Sequence, residues 1–331
     1  VVIPCLQRDQ PLTRFLTKWR FRGVWRTPFT APYPLESWTF ALNLKRFLRN
    51  TYDIVNIQDP LVARHLTKWK RKGKIKPKVI FANGTETPVE AMKDYDFIQE
   101  LDDYDIENLV KAGHSRGNLF VVPNFVDTDV FKPGDKAAER RRFGIPDDAY
   151  VVLSVGAIER GFKRIDYVID EFAAFRRSCR RKALLLVAGA RTNETDELMR
   201  EAVEKLGDDI MFLENLTHAE MPHVYSAADV FAFCVTHGIY GIALAEAAAA
   251  GLPCVVHDWQ RVKWVAGPKA VVADLSRENV LAAEFARLQD ESLRADISAA
   301  TRRWAEEKLS GKALIKEYVK MYEEVNAKRE G

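Results

Sequence analysis

The sequence predicts an α/β fold with parallel sheets, divided into two domains. Three observations support this prediction. The chain has 331 residues, which is long enough for two hydrophobic cores. Strands and helices alternate regularly after Tyr150, and this alternation is typical of a parallel sheet. Two prolines and a glycine interrupt the stretch VVPNFVDTDVFKPGD at Val121–Asp135, which indicates a linker, and we place the boundary near Pro133.

The first half gives few clear elements. The opening VVIPC is compatible with a strand, and residues 35–48 are predicted to form a helix. A short buried strand at 53–57 and a basic helix at 61–72 follow. The next predicted strand covers 78–82 and ends at Asn83. No glycine-rich turn follows a first strand in this half, so a doubly wound domain would need one before Val1, or would lack it.

Charge is distributed unevenly along the chain. The net charge is +3, but residues 1–82 contain 17 Lys and Arg against 4 Asp and Glu. The segment RFLTKWRFRGVWR mixes bases with Phe15, Trp19, Phe21 and Trp25. This pattern fits a lipid headgroup surface, a nucleic acid, or a helix that packs its aromatic residues inward and leaves its bases in water.

Composition favours a globular protein of a reducing compartment, which we expect to be the cytoplasm. Apolar residues make up 47% of the chain and charged residues 29%, as in ordinary globular proteins. No apolar run approaches the roughly 20 residues of a membrane-spanning helix. The four cysteines and six histidines are scattered without metal-ligand spacing, so we expect neither disulfides nor a metal site.

The second half reads as a series of βαβ units. Leu184–Ala188 is flanked by two predicted helices, and a glycine turn with three bases follows the preceding strand. Such a turn is more typical of a loop that binds an anion than of a loop that is only solvated. The predicted strands are 151–155, 184–188, 210–213, 229–235, 252–257 and 270–272; the helices are 164–177, 194–206 and a short one from Met221.

The stretch from Met221 to Asp258 contains a further crossover unit. A buried strand leads to the turn Gly238-Ile239-Tyr240-Gly241, then to the helix IALAEAAAA, and then to another strand. In open parallel sheets such turns bind ligands. The first turn of the helix offers unpaired amides and a positive dipole end, and Glu246 follows. A phosphate bound at these amides and a hydroxyl-rich group bound near Glu246 would both be parts of a nucleotide. The spacing of these residues alone does not establish nucleotide binding, since any parallel sheet has such turns.

Four motifs resemble the large retaining glycosyltransferase family of the GT-B fold, the glycosyl transferases group 1. The order AADVFAF, glycine turn, ALAEAAAAGLPCVV is similar to its donor-binding core. The stretch VVPNFVDTDVFKP is similar to its interdomain connection. SVGAIERGFKR is similar to its Val-Gly-Arg-Leu, three residues, Lys-Gly motif, and SGKALIKEYVKMYEEV to its terminal helix. The resemblance covers about residues 50–331.

The sequence departs from the family pattern at several positions. Gly238 stands where the family has its first glutamate, and Ala157 where it has an arginine. Asn83 replaces a histidine beside the transferred sugar; it can hydrogen-bond a hydroxyl but cannot act as a base. Asn56 and Gln58 occupy two further histidine positions.

The resemblance implies two Rossmann-like domains facing across a cleft, with a C-terminal helix that crosses back. Residues 1–133 would form the acceptor side, 134–308 the nucleotide-sugar domain and 309–331 the returning helix. The implied activity is metal-independent sugar transfer from a nucleotide-sugar co-substrate of unknown base, with retained configuration. The implied catalytic residues are Lys163, Glu246 and Asn83. The implied donor-binding residues are Gly156, Arg160, Lys163, Arg164, Phe212, Leu213, Leu216, Gly238, Ile239, Tyr240, Gly241, Ile242 and Glu246.

The expected partners are the nucleotide-sugar donor and a sugar or lipid-linked acceptor, with an anionic membrane surface as a further partner of the basic first domain. Nucleic acid is a less favoured partner. Two alternatives remain open. One is a GT-B protein that binds nucleotide-sugar or carbohydrate without transfer, and the other is a basic protein that binds membrane or nucleic acid.

Overall fold

The chain packs into two compact units in the computed structural model, which describes residues 2–18, 31–48, 52–84, 87–238 and 240–328. The first unit comprises Val1–Pro123 and Lys316–Gly331, and the second comprises Asn124–Ile315. The divisions therefore follow Pro123 and Ile315, against predicted boundaries after residues 133 and 308.

The first unit contains a four-stranded parallel sheet in the order β1-β2-β3-β4. Asp59 caps the helix that begins at Pro60, because its side chain accepts a hydrogen bond from the amide of Val62. The helices are Pro11–Lys18 (α1), Pro32–Phe47 (α2), Pro60–Arg71 (α3) and Asp103–Lys111 (α4); the strands are Ile54–Ile57 (β1), Lys78–Ala82 (β2), Phe97–Glu100 (β3) and Leu119–Val121 (β4).

The opening VVIPC does not form a strand from Val2 onward, so the strand reading is wrong for the described residues. Side chains of α2 bond this segment's backbone instead. Thr39 Oγ1 accepts from the amide of Leu6 at 3.1 Å, and Asn43 Nδ2 donates to the carbonyl of Pro4 at 2.8 Å. These bonds take up backbone groups that a sheet ladder would use. The basic and aromatic segment at 19–30 lies outside the described residues.

The second unit contains a six-stranded sheet in the order β10-β9-β8-β5-β6-β7, in which every neighbouring pair is parallel. The strands are Tyr150–Val155 (β5), Ala183–Gly189 (β6), Ile210–Glu214 (β7), Val230–Phe233 (β8), Cys254–His257 (β9) and Val271–Ala273 (β10). The helices are Lys136–Phe143 (α5), Ile165–Arg176 (α6), Thr195–Leu206 (α7), Met221–Ala227 (α8), Ile242–Ala249 (α9), Gln260–Ala266 (α10), Val280–Arg287 (α11) and Glu291–Trp304 (α12). The last helix, Gly311–Ala327 (α13), begins in this unit and belongs to the first unit from Lys316 onward.

An aromatic cluster packs α6 and α11 against one face of this sheet. Phe172, Phe175 and Phe285 are at most 1% exposed, and their ring centroids lie 5.6–6.1 Å apart. Burying a phenylalanine side chain stabilises a fold by about 1.5–3 kcal/mol. The predicted α/β class with parallel sheets is confirmed.

Buried charges lie at the amino edge of the same sheet, where the strands begin. Asp229 precedes β8 and is 7% exposed. Its carboxylate accepts from Arg140 at 2.7 Å, from Lys136 at 2.8 Å and from the amide of Val151 at 2.8 Å. Burial raises the pKa of Asp229, but Lys136, the Val151 amide and Arg140 outweigh burial and leave the pKa below its ordinary value.

The last part of α13 packs on the first unit's sheet. Met321 and Val325 are buried in one cluster with Ile80 and Phe120. Asn56, at a position where the family has histidine, donates to the hydroxyl of Tyr322 on this helix at 3.2 Å. Across the described ranges, no helix has the length and apolar character needed to cross a bilayer.

Candidate functional site

The strand order places a switch point at the carboxyl edge of the second unit's sheet. Strands β5, β6 and β7 follow one another outward, and the chain then returns to place β8 on the other side of β5. The loops after β5 and β8 therefore leave in opposite directions and open a crevice between them. Ligands of open α/β sheets bind at this point.

Lys163 lies across the loop that follows β5. Its stem packs on Gly156, where a Cβ atom would be only 2.8 Å from Lys163 Cδ, so a side chain at position 156 would displace the lysine stem. Its ammonium lies over the ring of Phe162 at 5.1 Å and that of Phe233 at 5.8 Å. Burial lowers the pKa of Lys163. Within the described residues this ammonium has no hydrogen bond or ion pair, and such a cation is suited to an anionic ligand.

The two arginines of this loop are engaged by protein groups. Arg160 pairs with Glu201 of α7 at 2.6 Å, and its amide donates to Glu194 at 2.8 Å. Arg164 donates to the carbonyls of Leu275 at 2.8 Å and Cys234 at 3.3 Å. The geometry therefore favours Lys163 among the three predicted cations, and the roles predicted for both arginines stay predictions.

The glycine turn after β8 (residues 238–241) leads into α9; its Ile239 lies outside the described residues. Gly238 and Gly241 have φ values of 91° and 78°, which favour glycine. A Cβ atom on Gly241 would lie 2.7 Å from Phe233 Cζ. Buried Tyr240 donates to the carbonyl of Asn124 at 2.7 Å. The turn thus carries the chain to the first amides of α9, which have no partner within the helix, next to exposed Ile242.

Glu246 is the buried carboxylate of this edge. It lies in α9 and is 5% exposed. Tyr225 donates to its Oε2 at 2.8 Å, and His218 Nε2 lies 2.9 Å from its Oε1. These contacts fix the carboxylate between α8, α9 and the segment that follows β7.

The predicted base-binding residues lie at the end of β7. Phe212 packs against the sheet's main core cluster, and Leu213 and Leu216 are partly buried. Glu214 at the same strand end is paired with Arg191. The fold therefore brings these residues to the carboxyl edge that also holds Lys163 and Glu246.

Asn83 belongs to the first unit, where it follows β2. It is 6% exposed, and its amide donates to both carboxylate oxygens of Glu100, at 3.0 and 3.1 Å. Thr87 donates to its carbonyl oxygen at 3.1 Å. The side chain thus has structural partners on both sides, and its catalytic role stays a prediction.

Sequence reasoning missed His218, Tyr225 and Phe233 as members of this edge. His218 is one of six histidines without metal-ligand spacing, and no role was predicted for it. Its place directly after β7 was the available signal, because segments that leave a parallel strand start at the ligand edge. Within the described ranges, no group of three or more His, Cys, Asp and Glu could hold a metal ion.

Comparison with known proteins gives a family match. The family model described as Glycosyl transferases group 1 matches residues 135–304, slightly more than half of the chain. A D-inositol 3-phosphate glycosyltransferase from Stackebrandtia nassauensis is 34% identical over 143 residues, 41% of this chain and 32% of that protein. The protein of the same name from Mycolicibacterium smegmatis is 31% identical over 182 residues, 51% of this chain and 41% of that protein. The chain spans about a third to two fifths of these relatives.

Solved structures share the fold. Sucrose-phosphate synthase from Thermosynechococcus elongatus aligns with a TM-score of 0.75 and 17% identity, covering 91% of this chain and 82% of that one. Anabaena HepE in complex with UDP-glucose aligns with a TM-score of 0.72 and 13% identity, covering 88% and 82%. The predicted assignment to the GT-B fold is confirmed.

Proposed function

This chain belongs to the glycosyl transferases group 1 family, and from that premise we propose that it transfers a hexose from a nucleotide-sugar to an acceptor, with retained anomeric configuration and no required metal. The observation that carries the proposal is Lys163. Its ammonium is partly desolvated and lies at the switch point, and within the described residues it has no hydrogen bond or ion pair, since Glu159 acts on it only at a distance. A diphosphate supplies the missing charge.

Breaking the bond between sugar and phosphate leaves a diphosphate whose negative charge must be stabilised. Lys163 and the first amides of α9, at the end of the glycine turn, are the groups that would do so. The ribose would lie beside Glu246, and Phe212, Leu213 and Leu216 would flank the base. The resemblance, rather than a bound ligand, supplies this orientation.

The choice of donor rests on the chemistry of nucleotide-sugars and on one protein of similar structure. HepE was solved with UDP-glucose, so UDP-glucose is the first donor to test, beside GDP- and ADP-sugars. A thermal-shift panel is expected to show one of them stabilising the protein, because a ligand at 100 times its dissociation constant adds about 2.7 kcal/mol. Release of the nucleoside diphosphate, measured with and without EDTA, then tests transfer and metal independence. No shift with any donor would contradict the proposal.

The acceptor is proposed to be anionic. Residues 1–82 carry 17 basic against 4 acidic side chains, and the two relatives described above are named for D-inositol 3-phosphate. A phosphorylated polyol is therefore the first acceptor to test. Donor turnover that rises with D-inositol 3-phosphate, but not with inositol, supports this acceptor class.

A second candidate function is binding without transfer. Ala157, Gly238 and Asn83 each replace a group that the family ordinarily uses, which favours this alternative. The assay that separates the two measures free nucleoside diphosphate over time. Binding of a nucleotide-sugar without its consumption, in the presence of the acceptor panel, would support the binding protein.

The basic first unit is further proposed to meet an anionic membrane surface. Lys72, Lys74 and Lys76 are exposed near the end of α3, and each base near anionic lipid contributes about 1 kcal/mol. Co-sedimentation with phosphatidylserine vesicles should fall with salt and with charge reversal of these three lysines. Reversal of exposed Arg177, Arg180 and Lys182 in the second unit is the matched control. Failure to sediment at low salt would contradict this part.

A further inference from the structure

Arg164 holds a backbone conformation that arginine ordinarily avoids. Its φ and ψ values are 52° and 43°, in the left-handed region, at the residue that precedes α6. A residue with a Cβ atom is disfavoured there, whereas glycine is not. Such a residue persists only where surrounding groups hold it, and residues of this kind cluster at functional sites. The position of Arg164 fits that pattern, because Lys163 is its immediate neighbour in the chain.

The side chain of Arg164 supplies the groups that hold this turn. Its Nη1 atom donates to the carbonyl of Leu275 at 2.8 Å and to that of Cys234 at 3.3 Å. Its guanidinium carbon lies over the ring of Tyr167, 4.2 Å from the centroid. Cys234 follows β8, and Leu275 comes shortly after β10. One side chain therefore ties the loop after β5 to the ends of two other strands.

The two neighbouring cations are directed to different partners. The stem of Lys163 packs on Gly156, whereas the guanidinium of Arg164 is hydrogen-bonded to main-chain carbonyls. The loop that carries both is closed by the amide of Ile165, which donates to the carbonyl of Glu159 at 3.0 Å. Because Arg164 forms the corner of this closed loop, its backbone conformation determines where the stem of Lys163 begins.

We propose that Arg164 is a positioning residue of the donor site, which holds the left-handed turn so that the ammonium of Lys163 meets the diphosphate. This inference rests on the proposed function, since it concerns the same site. Arg164 itself does not contact the ligand, and it acts through the backbone of its neighbour. Without its side chain the turn adopts other conformations for most of the time, and only the fraction with the turn in place binds the diphosphate.

A comparison of Arg164→Ala with Arg164→Gly tests this role. Both variants lose the guanidinium, but only glycine adopts the left-handed conformation freely. Binding of UDP, GDP and ADP is measured by calorimetry, because these nucleotides carry the diphosphate charge that bond breaking leaves. Arg164→Ala should bind about tenfold more weakly than the wild type, since left-handed alanine is disfavoured by about that factor. Arg164→Gly should lose only about twofold, since glycine populates both signs of φ about equally.

Combination with Lys163→Met shows whether Arg164 acts through Lys163. The double variant Lys163→Met/Arg164→Ala should bind no more weakly than Lys163→Met alone, because the turn has no ammonium left to position. A cation that bound the diphosphate directly would instead give losses that add. Turnover of the nucleotide-sugar, measured on the same variants, should follow the same order as binding.

Asn279→Ala is the matched control. Asn279 has a φ value of 61° and precedes α11, so this variant also places alanine in a left-handed turn before a helix. It should lower the free energy of unfolding, as Arg164→Ala does, but leave nucleotide binding unchanged. A general loss of stability is thereby separated from the loss of the positioned ammonium.

Three results would overturn the inference while the proposed function stands. They are wild-type affinity of Arg164→Ala, equal losses in Arg164→Ala and Arg164→Gly, and losses that add to that of Lys163→Met. The last two would make Arg164 a ligand of the diphosphate. Nucleotide binding without turnover of any nucleotide-sugar would contradict the proposed transfer, and the binding series would still decide the role of Arg164. If the wild type binds none of the three nucleotides, both fail.

Discussion

The two edges of the second unit's sheet carry charged side chains that differ in how the protein compensates them. At the amino edge, Asp229 has two cations and an amide around it. At the carboxyl edge, Lys163 is flanked by two aromatic rings and has no ion-pair partner in the described part of the chain. Asp229 is buried and Lys163 is partly buried, but only Asp229 is hydrogen-bonded to groups of opposite charge, whereas Glu159 acts on Lys163 at a distance.

This difference indicates which edge of the sheet binds a ligand. Desolvating a charge is unfavourable unless partners restore the lost interactions. The amino edge restores them internally and therefore contributes to holding the fold. The carboxyl edge leaves the interaction incomplete, as sites do whose missing partner is a ligand. Changes at the amino edge should therefore alter stability, and changes at the carboxyl edge should alter binding and turnover.

The largest expected effect is that of Asp229→Ala. This change leaves Arg140, which is 5% exposed, without its carboxylate. Breaking one partner of a buried ion pair costs about 3–5 kcal/mol. Urea unfolding at pH 7 should show this loss, while nucleotide affinity of the folded fraction stays at the wild-type value.

The loss of stability at acidic pH gives an independent check on the role of Asp229. Its folded pKa is lowered, so its contribution is complete above the unfolded value of about 3.9. That contribution is lost as pH falls through the folded pKa. The variant should therefore lose less stability than the wild type on acidification. If the wild type and the variant lost the same free energy of unfolding on acidification, the ion pair of Asp229 would add nothing to stability.

The next effect is that of Lys163→Met, which keeps the stem over Gly156 and removes the charge. Turnover should fall about 10²- to 10³-fold, as when one donor to a developing oxyanion is lost. Donor affinity should fall less, since the diphosphate charge grows as the bond breaks. The free energy of unfolding should not decrease, because the change removes a partly desolvated charge that has no ion pair in the described part of the chain. Equal turnover would place the anion site elsewhere.

The pH dependence of donor affinity sharpens the role of Lys163. Burial lowers its pKa, so the amine loses its proton at a lower pH than an ordinary lysine. The attraction for the diphosphate is present below that pKa and lost as pH rises through it. Donor affinity of the wild type should therefore decline before pH reaches about 10.4, and that of the Lys163→Met variant should stay flat.

The sequence predicted the second unit well for a physical reason. Its strands are continuous apolar runs buried on both faces, and its helices alternate with them, so local pattern and tertiary burial agree. The first unit was harder. Strands β3 and β4 have only four and three residues, too few for a periodic signal, and the backbone at Pro4 and Leu6 is hydrogen-bonded by side chains of α2.

The site was predictable where a glycine or a strand end defined it. Gly156, Gly241 and Glu246 lie on the edge that the crossover pattern indicated. The partners of Arg160 could not be predicted, because Glu201 lies 41 positions away. The same holds for His218, whose partner Glu246 lies 28 positions away. Such pairings depend on how α7, α8 and α9 pack rather than on spacing along the chain.

A smaller effect is expected for Gly241→Ala. The new Cβ atom would meet Phe233, and the φ value of 78° is unfavourable for alanine. Strained backbone of this kind costs about 1–3 kcal/mol, and the displaced turn should also weaken donor binding. Gly144→Ala is the matched control, with φ 68° and nothing within 4 Å of the new atom. Equal losses of donor affinity in both variants would remove the glycine turn from the site.

The smallest expected effect is that of Arg160→Ala, because its side chain is already paired with Glu201 and Glu197 on α7. The amide that donates to Glu194 remains in alanine, so the loop should keep its path. Donor affinity and turnover should therefore match the wild type, whereas Lys163→Met, three residues away, should be impaired. Parallel titrations of the two variants with the same nucleotide-sugar measure this contrast. If Arg160→Ala loses as much turnover as Lys163→Met, its ion pair must open to receive the diphosphate. The carboxyl edge would then hold two cations that the ligand recruits, one of them already compensated in the unliganded fold.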